Sequence, residues 1–188
     1  MLPEPSRRAL LLAAAQIGGA AWLSAPAGEI WAALGGGDQP APAPSPLTAA
    51  ERADLAALTE VIIPSDGTPG AREAQAIRFI ERSLVSFAAD QRPLFQAGLA
   101  DLRSRARKRR PKATSFAGLD SIDQLAIVEA LDRSRTLFFE AVRIATIMAM
   151  FADPRHGGNQ GKVGWQLIGF QDRGSWQAPF GDYDKPAP

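Results

Sequence analysis

One stretch near the carboxyl terminus decides the fold: residues 136–170 read TLFFEAVRIATIMAMFADPRHGGNQGKVGWQLIGF. Its first half predicts a helix with several large apolar residues available for one buried side: Leu137, Phe138, Val142, Ile147 and Phe151. Asp153-Pro154 ends that helix, because proline has no N–H group to donate and disfavours helical dihedral angles in the residue before it.

The second half of the stretch combines glycines with large side chains. Asn159, Trp165 and Phe170 are interleaved with Gly157, Gly158, Gly161, Gly164 and Gly169. Ordering so flexible a segment has a large entropy cost. The aromatic residues therefore indicate that something holds the segment down, either the chain's own helices or a second protein.

The amino terminus predicts an export signal. Arg7 and Arg8 precede an uncharged stretch from Ala9 to Ala27 that is rich in Ala, Leu and Gly, and Ala25-Pro26-Ala27 suits cleavage by a signal peptidase. The order Ser6-Arg7-Arg8-Ala9-Leu10-Leu11 resembles a twin-arginine signal. We therefore predict a signal over residues 1–27, a Gly/Pro/Ala-rich linker over 28–46 and one helical domain with an extended tail over 47–188. An ordinary secretory signal or an uncleaved anchor is the alternative.

Composition excludes several classes of site. The chain has no cysteine, so it has no disulfide, thiolate-bound metal or Cys-x-x-Cys-His haem attachment. Its one histidine is too few for a multi-histidine metal site. The formal net charge of +1 makes no case for nucleic acid as a partner.

Four more helices are predicted before the decisive stretch, in a mainly α, single-domain bundle of about five. Thr48 and Glu51 have the spacing of a capping box at the first helix. Asp90 is the predicted cap of the third helix, and Asp120 or Ser121 that of the fourth. The inward-facing residues are predicted to be Leu55, Leu58 and Ile62; Ile77, Ile80, Leu84 and Phe87; Phe95, Leu99, Leu102 and Ala106; and Ile122, Leu125, Val128 and Leu131.

A basic run ends the third helix: Arg103, Arg105, Arg107, Lys108, Arg109, Arg110 and Lys112. Cations favour a helix carboxyl terminus, so a solvated helix end is the simpler interpretation. A contact with an acidic protein surface or with anionic lipid headgroups is the alternative.

The glycine-rich segment also contains candidate chemistry. Asp153, His156 and Asn159 suggest acid–base work, because histidine titrates near neutrality. No oriented third member is evident, and the glycines follow a helix where a phosphate loop would precede one. Conformational roles are therefore favoured, with no catalytic, cofactor or metal site in this chain.

Several motifs together resemble the gluconate 2-dehydrogenase subunit 3 family, the small subunit of membrane-bound FAD-dependent sugar and sugar-acid dehydrogenases. The resemblance covers about Leu47 to Phe170. Its matching pieces are Leu47-Thr48, Ile62-Ile63-Pro64-Ser65-Asp66, Pro69-Gly70-Ala71, Phe138-Phe139, Asp153-Pro154, Gly157-Gly158-Asn159, Gly164-Trp165 and Ile168-Gly169-Phe170.

The resemblance implies a chain without a cofactor of its own, bound to a large flavoprotein that holds FAD and oxidises the sugar. It also implies a multihaem cytochrome c with haem c, and a periplasmic complex associated with the membrane. A twin-arginine signal then suits a non-catalytic subunit that escorts the flavoprotein during export. A free-standing exported chaperone or adaptor, or a periplasmic hydrolase using His156, is the alternative.

The predicted contacts with the flavoprotein lie in the glycine-rich segment. The residues are Asp153, Gly157, Gly158, Asn159, Gly164, Trp165, Gly169 and Phe170. The competing interpretation is that Trp165 closes the core of its own domain.

Overall fold

The computed structural model describes residues 45–173 and residue 175. Arg7, Arg8, the whole predicted signal and nearly all of the predicted linker lie outside these described residues, as does the end of the tail. No helix in the described part is long and apolar enough to cross a membrane.

The described residues form helices and no strand, which confirms the predicted mainly α domain. Five longer helices are α1 (Ala49–Ile62), α2 (Ala76–Leu84), α3 (Arg92–Arg109), α4 (Ser121–Arg133) and α5 (Leu137–Phe151). A short helix, α6 (Val163–Leu167), lies in the glycine-rich segment. Single 3₁₀ turns occupy Ala89–Gln91, Pro154–His156 and Gln160–Lys162.

Helix α5, from the decisive stretch, contacts each of the other helices and packs most extensively on α2. The rings of Phe95 in α3 and Phe138 in α5 meet edge to face, with centroids 5.8 Å apart. Gly98 lies directly under the Phe138 ring, where a Cβ atom would overlap it. A glycine inside α3 therefore allows α3 and α5 to approach closely.

Helix starts follow the predicted capping chemistry in two cases and not in a third. The Thr48 hydroxyl accepts the Glu51 N–H while the Glu51 carboxylate accepts the Thr48 N–H, completing the capping box. Asp120 caps α4 by accepting the N–H of Asp123. The prediction for Asp90 is wrong, because this residue lies inside a 3₁₀ turn and α3 begins only at Arg92.

Two predicted buried faces need correction. Ile122 and Leu125 of α4 are 75% and 50% exposed, because Ile127, Val128 and Leu131 supply the buried face of that helix instead. Leu137 and Ile147 of α5 are also exposed. Phe79 of α2 and Phe116, in the connection between α3 and α4, are buried core residues that the helical spacing did not predict.

The basic run is more than a solvated helix end, because three of its arginines bind buried carboxylates. Arg103 pairs at 2.7 Å with Asp54 of α1, which is fully buried and also accepts the N–H of Ala117. Arg109 and Arg110 both contact Asp123 of α4, the former at 2.7 Å. These arginines lower the pKa of Asp123, with the Arg109 hydrogen bond the largest cause.

The connection between α1 and α2 is fixed by carboxylates. Glu73 accepts hydrogen bonds from the Ser65 hydroxyl and from the Gly70 N–H, the latter at 2.9 Å. These bonds, the Ser65 one first, lower the pKa of Glu73 from 4.5 to about 2. A Cβ atom at Gly70 would lie only 2.5 Å from the Ile63 carbonyl oxygen, so the loop closes on itself at a glycine.

Candidate functional site

The glycine-rich segment folds back on the carboxyl end of α5. Helix α5 stops at Phe151, and Ala152 adopts an extended conformation. Asp153 then accepts the N–H of Arg155 and pairs with its guanidinium at 2.6 Å, capping the next 3₁₀ turn. This pairing with Arg155 lowers the pKa of Asp153. The reversal of the chain is therefore built from Asp153-Pro154 and the residues just after it.

Asn159 is the fully buried centre of this reversal. Its backbone N–H donates to the Ala149 carbonyl at 2.8 Å, and its side-chain amide donates to the Ala152 carbonyl at 2.9 Å. Its side-chain oxygen accepts the Gly164 N–H at 2.8 Å. The last carbonyls of an α-helix lack partners within the helix. Asn159 supplies donors for the Ala149 carbonyl in the last turn of α5 and for the Ala152 carbonyl just after the helix ends, and its third bond fixes the start of α6.

Two glycines allow the backbones to approach this closely. A Cβ atom at Gly158 would overlap the Ala149 carbonyl oxygen, and one at Gly164 would overlap the Met150 carbonyl oxygen. Both clashes are with backbone atoms, which cannot rotate out of the way as a side chain can. Gly158 and Gly164 are therefore required for contact between the segment and α5.

Trp165 of α6 lies with its indole against α5. It is 9% exposed, and its Nε1 donates to the Phe151 carbonyl oxygen at 2.8 Å. The Phe170 ring covers it, with ring centroids 4.8 Å apart, and the Lys162 ammonium lies 5.4 Å from the indole centroid. Trp165 thus packs inside its own domain, as the competing interpretation proposed.

The outer side of the same segment presents an apolar ridge, which we define as Leu167, Ile168 and Phe170. These residues are 46%, 59% and 49% exposed. Scattered exposed apolar residues are ordinary, whereas a contiguous group marks an interaction site more often. The backbone of the ridge is held to the packed part of the segment, because the Phe170 N–H donates to the Trp165 carbonyl oxygen at 2.8 Å.

The predicted interface residues differ in how deeply they are buried. Gly158, Asn159, Gly164 and Trp165 are buried in the domain, and Asp153 and Gly157 are partly buried; Gly169 and Phe170 are exposed. Contact of the eight residues with a partner stays a prediction, and the buried ones reach a partner only if the segment lifts from α5. Leu167 and Ile168 are exposed residues that sequence reasoning left out, although their place between two glycine–aromatic pairs was a usable signal.

His156 lies close to α2 and is also buried. Burial lowers the pKa of its imidazole, and Arg155 and Arg82 act in the same direction while Asp153 opposes them. The Arg82 guanidinium donates to the Arg155 carbonyl oxygen at 2.8 Å, which fastens this turn to α2. Among the described residues, no three His, Cys, Asp or Glu side chains are grouped to hold a metal ion.

The segment also contacts the loop that precedes α2. The Gln160 N–H donates to the Ala74 carbonyl oxygen at 3.2 Å, next to the Gly70 closure. This hydrogen bond therefore joins two stretches that are far apart in the sequence.

Comparison with known proteins bears on this arrangement. The family model described as gluconate 2-dehydrogenase subunit 3 matches residues 49–172. The match runs from the first residue of α1 through the whole reversal and the apolar ridge. Searches of curated proteins and of solved structures give no significant match. Because the family model covers most of the chain, the chain belongs to the gluconate 2-dehydrogenase subunit 3 family.

Proposed function

We propose that this chain is a non-catalytic small subunit that binds, stabilises and escorts the FAD-containing catalytic subunit of a membrane-bound sugar or sugar-acid dehydrogenase. Family membership implies association with other subunits of a dehydrogenase complex. The proposed partner holds FAD and carries out the oxidation, and a multihaem cytochrome c with haem c completes the complex. The location proposed for this assembly is the periplasm, at the cytoplasmic membrane.

The observation that carries the proposal is the exposed apolar ridge on a segment that is hydrogen-bonded to α5. Leu167, Ile168 and Phe170 are exposed on a segment that is bonded to α5 through the Asn159 N–H and the Trp165 indole. Residues held in place before binding lose little entropy when they bind. A rigid aromatic and aliphatic ridge is the surface expected of a permanent subunit contact.

We expect the ridge to account for a measurable share of the affinity for the flavoprotein. Fully burying a Leu, Ile or Phe side chain contributes about 1.5–3 kcal/mol. Each ridge residue is about half-exposed, so covering all three is expected to contribute about 3 kcal/mol. This corresponds to about a hundredfold in the dissociation constant.

The test is co-expression of the full chain with a flavoprotein dehydrogenase from the same organism, followed by co-purification and measurement of the dissociation constant. The ridge variant is Leu167→Ser/Ile168→Ser/Phe170→Ser. The matched control is Ile122→Ser/Leu125→Ser, which removes exposed aliphatic side chains from α4.

We expect the wild type and the control to co-purify with FAD-loaded flavoprotein, and the ridge variant to bind about a hundredfold more weakly. Equal affinity of the ridge variant and the wild type would disprove the docking surface. Failure of the wild type to bind any flavoprotein dehydrogenase would disprove the subunit function itself.

A further inference from the structure

A second exposed surface lies at the carboxyl end of α3, which the basic run forms. Four of its seven cations are paired: Arg103 with Asp54, Arg105 with Asp101, and Arg109 and Arg110 with Asp123. The other three, Arg107, Lys108 and Lys112, are exposed and form no ion pair with any described residue. The run therefore has a part that is paired with carboxylates and a part whose charged ends face solvent in the described structure.

Helix α4 has exposed aliphatic side chains near its start, which lies beside the end of α3. Ile122 and Leu125 are one turn apart on the solvent face and are 75% and 50% exposed. Asp123, next to Ile122, is the residue that Arg109 and Arg110 contact. These two ion pairs fix the end of α3 beside the first turn of α4. We define the cationic–aliphatic patch as Arg107, Lys108, Lys112, Ile122 and Leu125.

The composition of this patch fits a lipid surface better than a protein surface. Cores of protein interfaces are enriched in aromatic residues and depleted in lysine, whereas the patch has two lysines and no aromatic residue. Long basic side chains can lie along an apolar boundary while their charged ends reach phosphate groups. Basic residues beside exposed aliphatic ones are typical of proteins that bind the interface of an anionic bilayer.

We propose that the cationic–aliphatic patch binds an anionic phospholipid surface, so that this chain itself touches the membrane. The three cations contact lipid phosphates, and Ile122 and Leu125 enter the boundary between headgroups and acyl chains. Binding at this patch does not depend on the apolar ridge, which lies on another segment. The chain can therefore bind a protein partner and a membrane at the same time.

A local probe tests the patch in the full chain. The protein has no cysteine, so Leu125→Cys introduces a single thiol that can be labelled with an environment-sensitive fluorophore. Thr68→Cys, in the exposed loop between α1 and α2, is the matched control label. Both proteins are titrated with vesicles of phosphatidylcholine alone and of phosphatidylcholine mixed with phosphatidylglycerol. The local signal distinguishes the patch from any contact made by residues 1–27, which are present in both proteins.

We expect the label at position 125 to shift to shorter wavelength with phosphatidylglycerol vesicles only, and the label at position 68 not to shift. In the Leu125→Cys background, Arg107→Glu/Lys108→Glu should weaken this binding at least about 25-fold, since each basic residue near an anionic surface contributes a factor of about five. Arg78→Glu/Arg135→Glu makes the same change in net charge at exposed arginines outside the patch and should leave binding within about threefold of the parent.

Three results would overturn the proposal. The first is no shift at position 125 with anionic vesicles, and the second is an equal shift with neutral vesicles. The third is equal weakening by both pairs of charge reversals, which would mean that net charge, and not this patch, governs binding.

Discussion

Gly164 of α6 lies so close to the carbonyl oxygen of Met150 in α5 that a Cβ atom on Gly164 would overlap it. The two backbones touch without any side chain between them. This contact sets the distance at which the glycine-rich segment lies on the bundle, and it brings the Trp165 indole within hydrogen-bonding reach of Phe151.

Gly164→Ala should therefore detach the segment from α5. The new methyl group cannot be accommodated by a rotamer change, because the atom it meets belongs to the backbone. Hydrogen exchange of the full chain should show lost protection for amides from Asn159 to Phe170, with α1 to α4 unchanged. Gly169→Ala is the control: a Cβ atom there meets nothing within 4 Å, and its φ of +66° costs about 1–2 kcal/mol locally. Full protection of the segment in Gly164→Ala would contradict the packing described.

Asn159→Ala should lower the free energy of unfolding by about 2–4 kcal/mol. The change leaves the Gly164 N–H and the Ala152 carbonyl without their side-chain partners, and each buried unsatisfied group costs about 1–3 kcal/mol. Urea denaturation of the full chain measures the difference. Gln160→Ala, at an exposed neighbouring position, should change stability by less than about 0.5 kcal/mol. A similar effect at both positions would remove the special role given to Asn159.

Glu73 predicts a pH dependence of stability. Its pKa is lowered from 4.5 to about 2 in the folded chain, so its stabilising contribution is complete above about pH 4.5 and is lost as the pH falls toward 2. Glu73→Gln should therefore flatten the fall in unfolding free energy across this pH range. Asp66→Asn, at an exposed position of the same loop, is the control. An unchanged pH profile in Glu73→Gln would show that the Ser65 and Gly70 bonds do not favour the ionised carboxylate.

The helical bundle and its capping could be predicted from the sequence because they depend on local chemistry. Thr48 and Glu51 satisfy each other within one turn, and Asp120 caps α4 in the same way. The apolar spacing in α3 correctly predicted that Phe95, Leu99, Leu102 and Ala106 are buried. In such segments the neighbours along the chain carry most of the information.

Features that depend on distant partners were not predictable in this way. Ile122 and Leu125 fit an apolar spacing, but the other side of α4 is turned inward by the contacts of Asp123 with Arg109 and Arg110. The same contacts make part of the basic run structural. Likewise, the glycines at 158 and 164 indicated flexibility, whereas their position against α5 makes them part of a rigid junction. The apolar ridge and the cationic–aliphatic patch could be recognised only in the tertiary structure.

His156→Ala should leave kcat for sugar oxidation in the assembled complex nearly unchanged. A general acid or base contributes about 10²–10⁴-fold, whereas the proposed accessory subunit takes no part in the chemical step. Steady-state rates are compared after confirming equal FAD content and an intact complex. A fall in kcat of about a hundredfold or more under those conditions would assign catalysis to this chain.

The escort role is tested most directly by locating the flavoprotein when the export signal is changed. Arg7→Lys/Arg8→Lys should leave both this chain and the FAD-loaded flavoprotein in the cytoplasm, because the partner is proposed to be exported only with this subunit. Fractionation followed by FAD and activity measurements distinguishes the compartments, and Arg78→Lys/Arg135→Lys is the matched control that should be exported normally. Retention of both proteins is the predicted result, and a flavoprotein that reaches the periplasm while this chain is retained would contradict it.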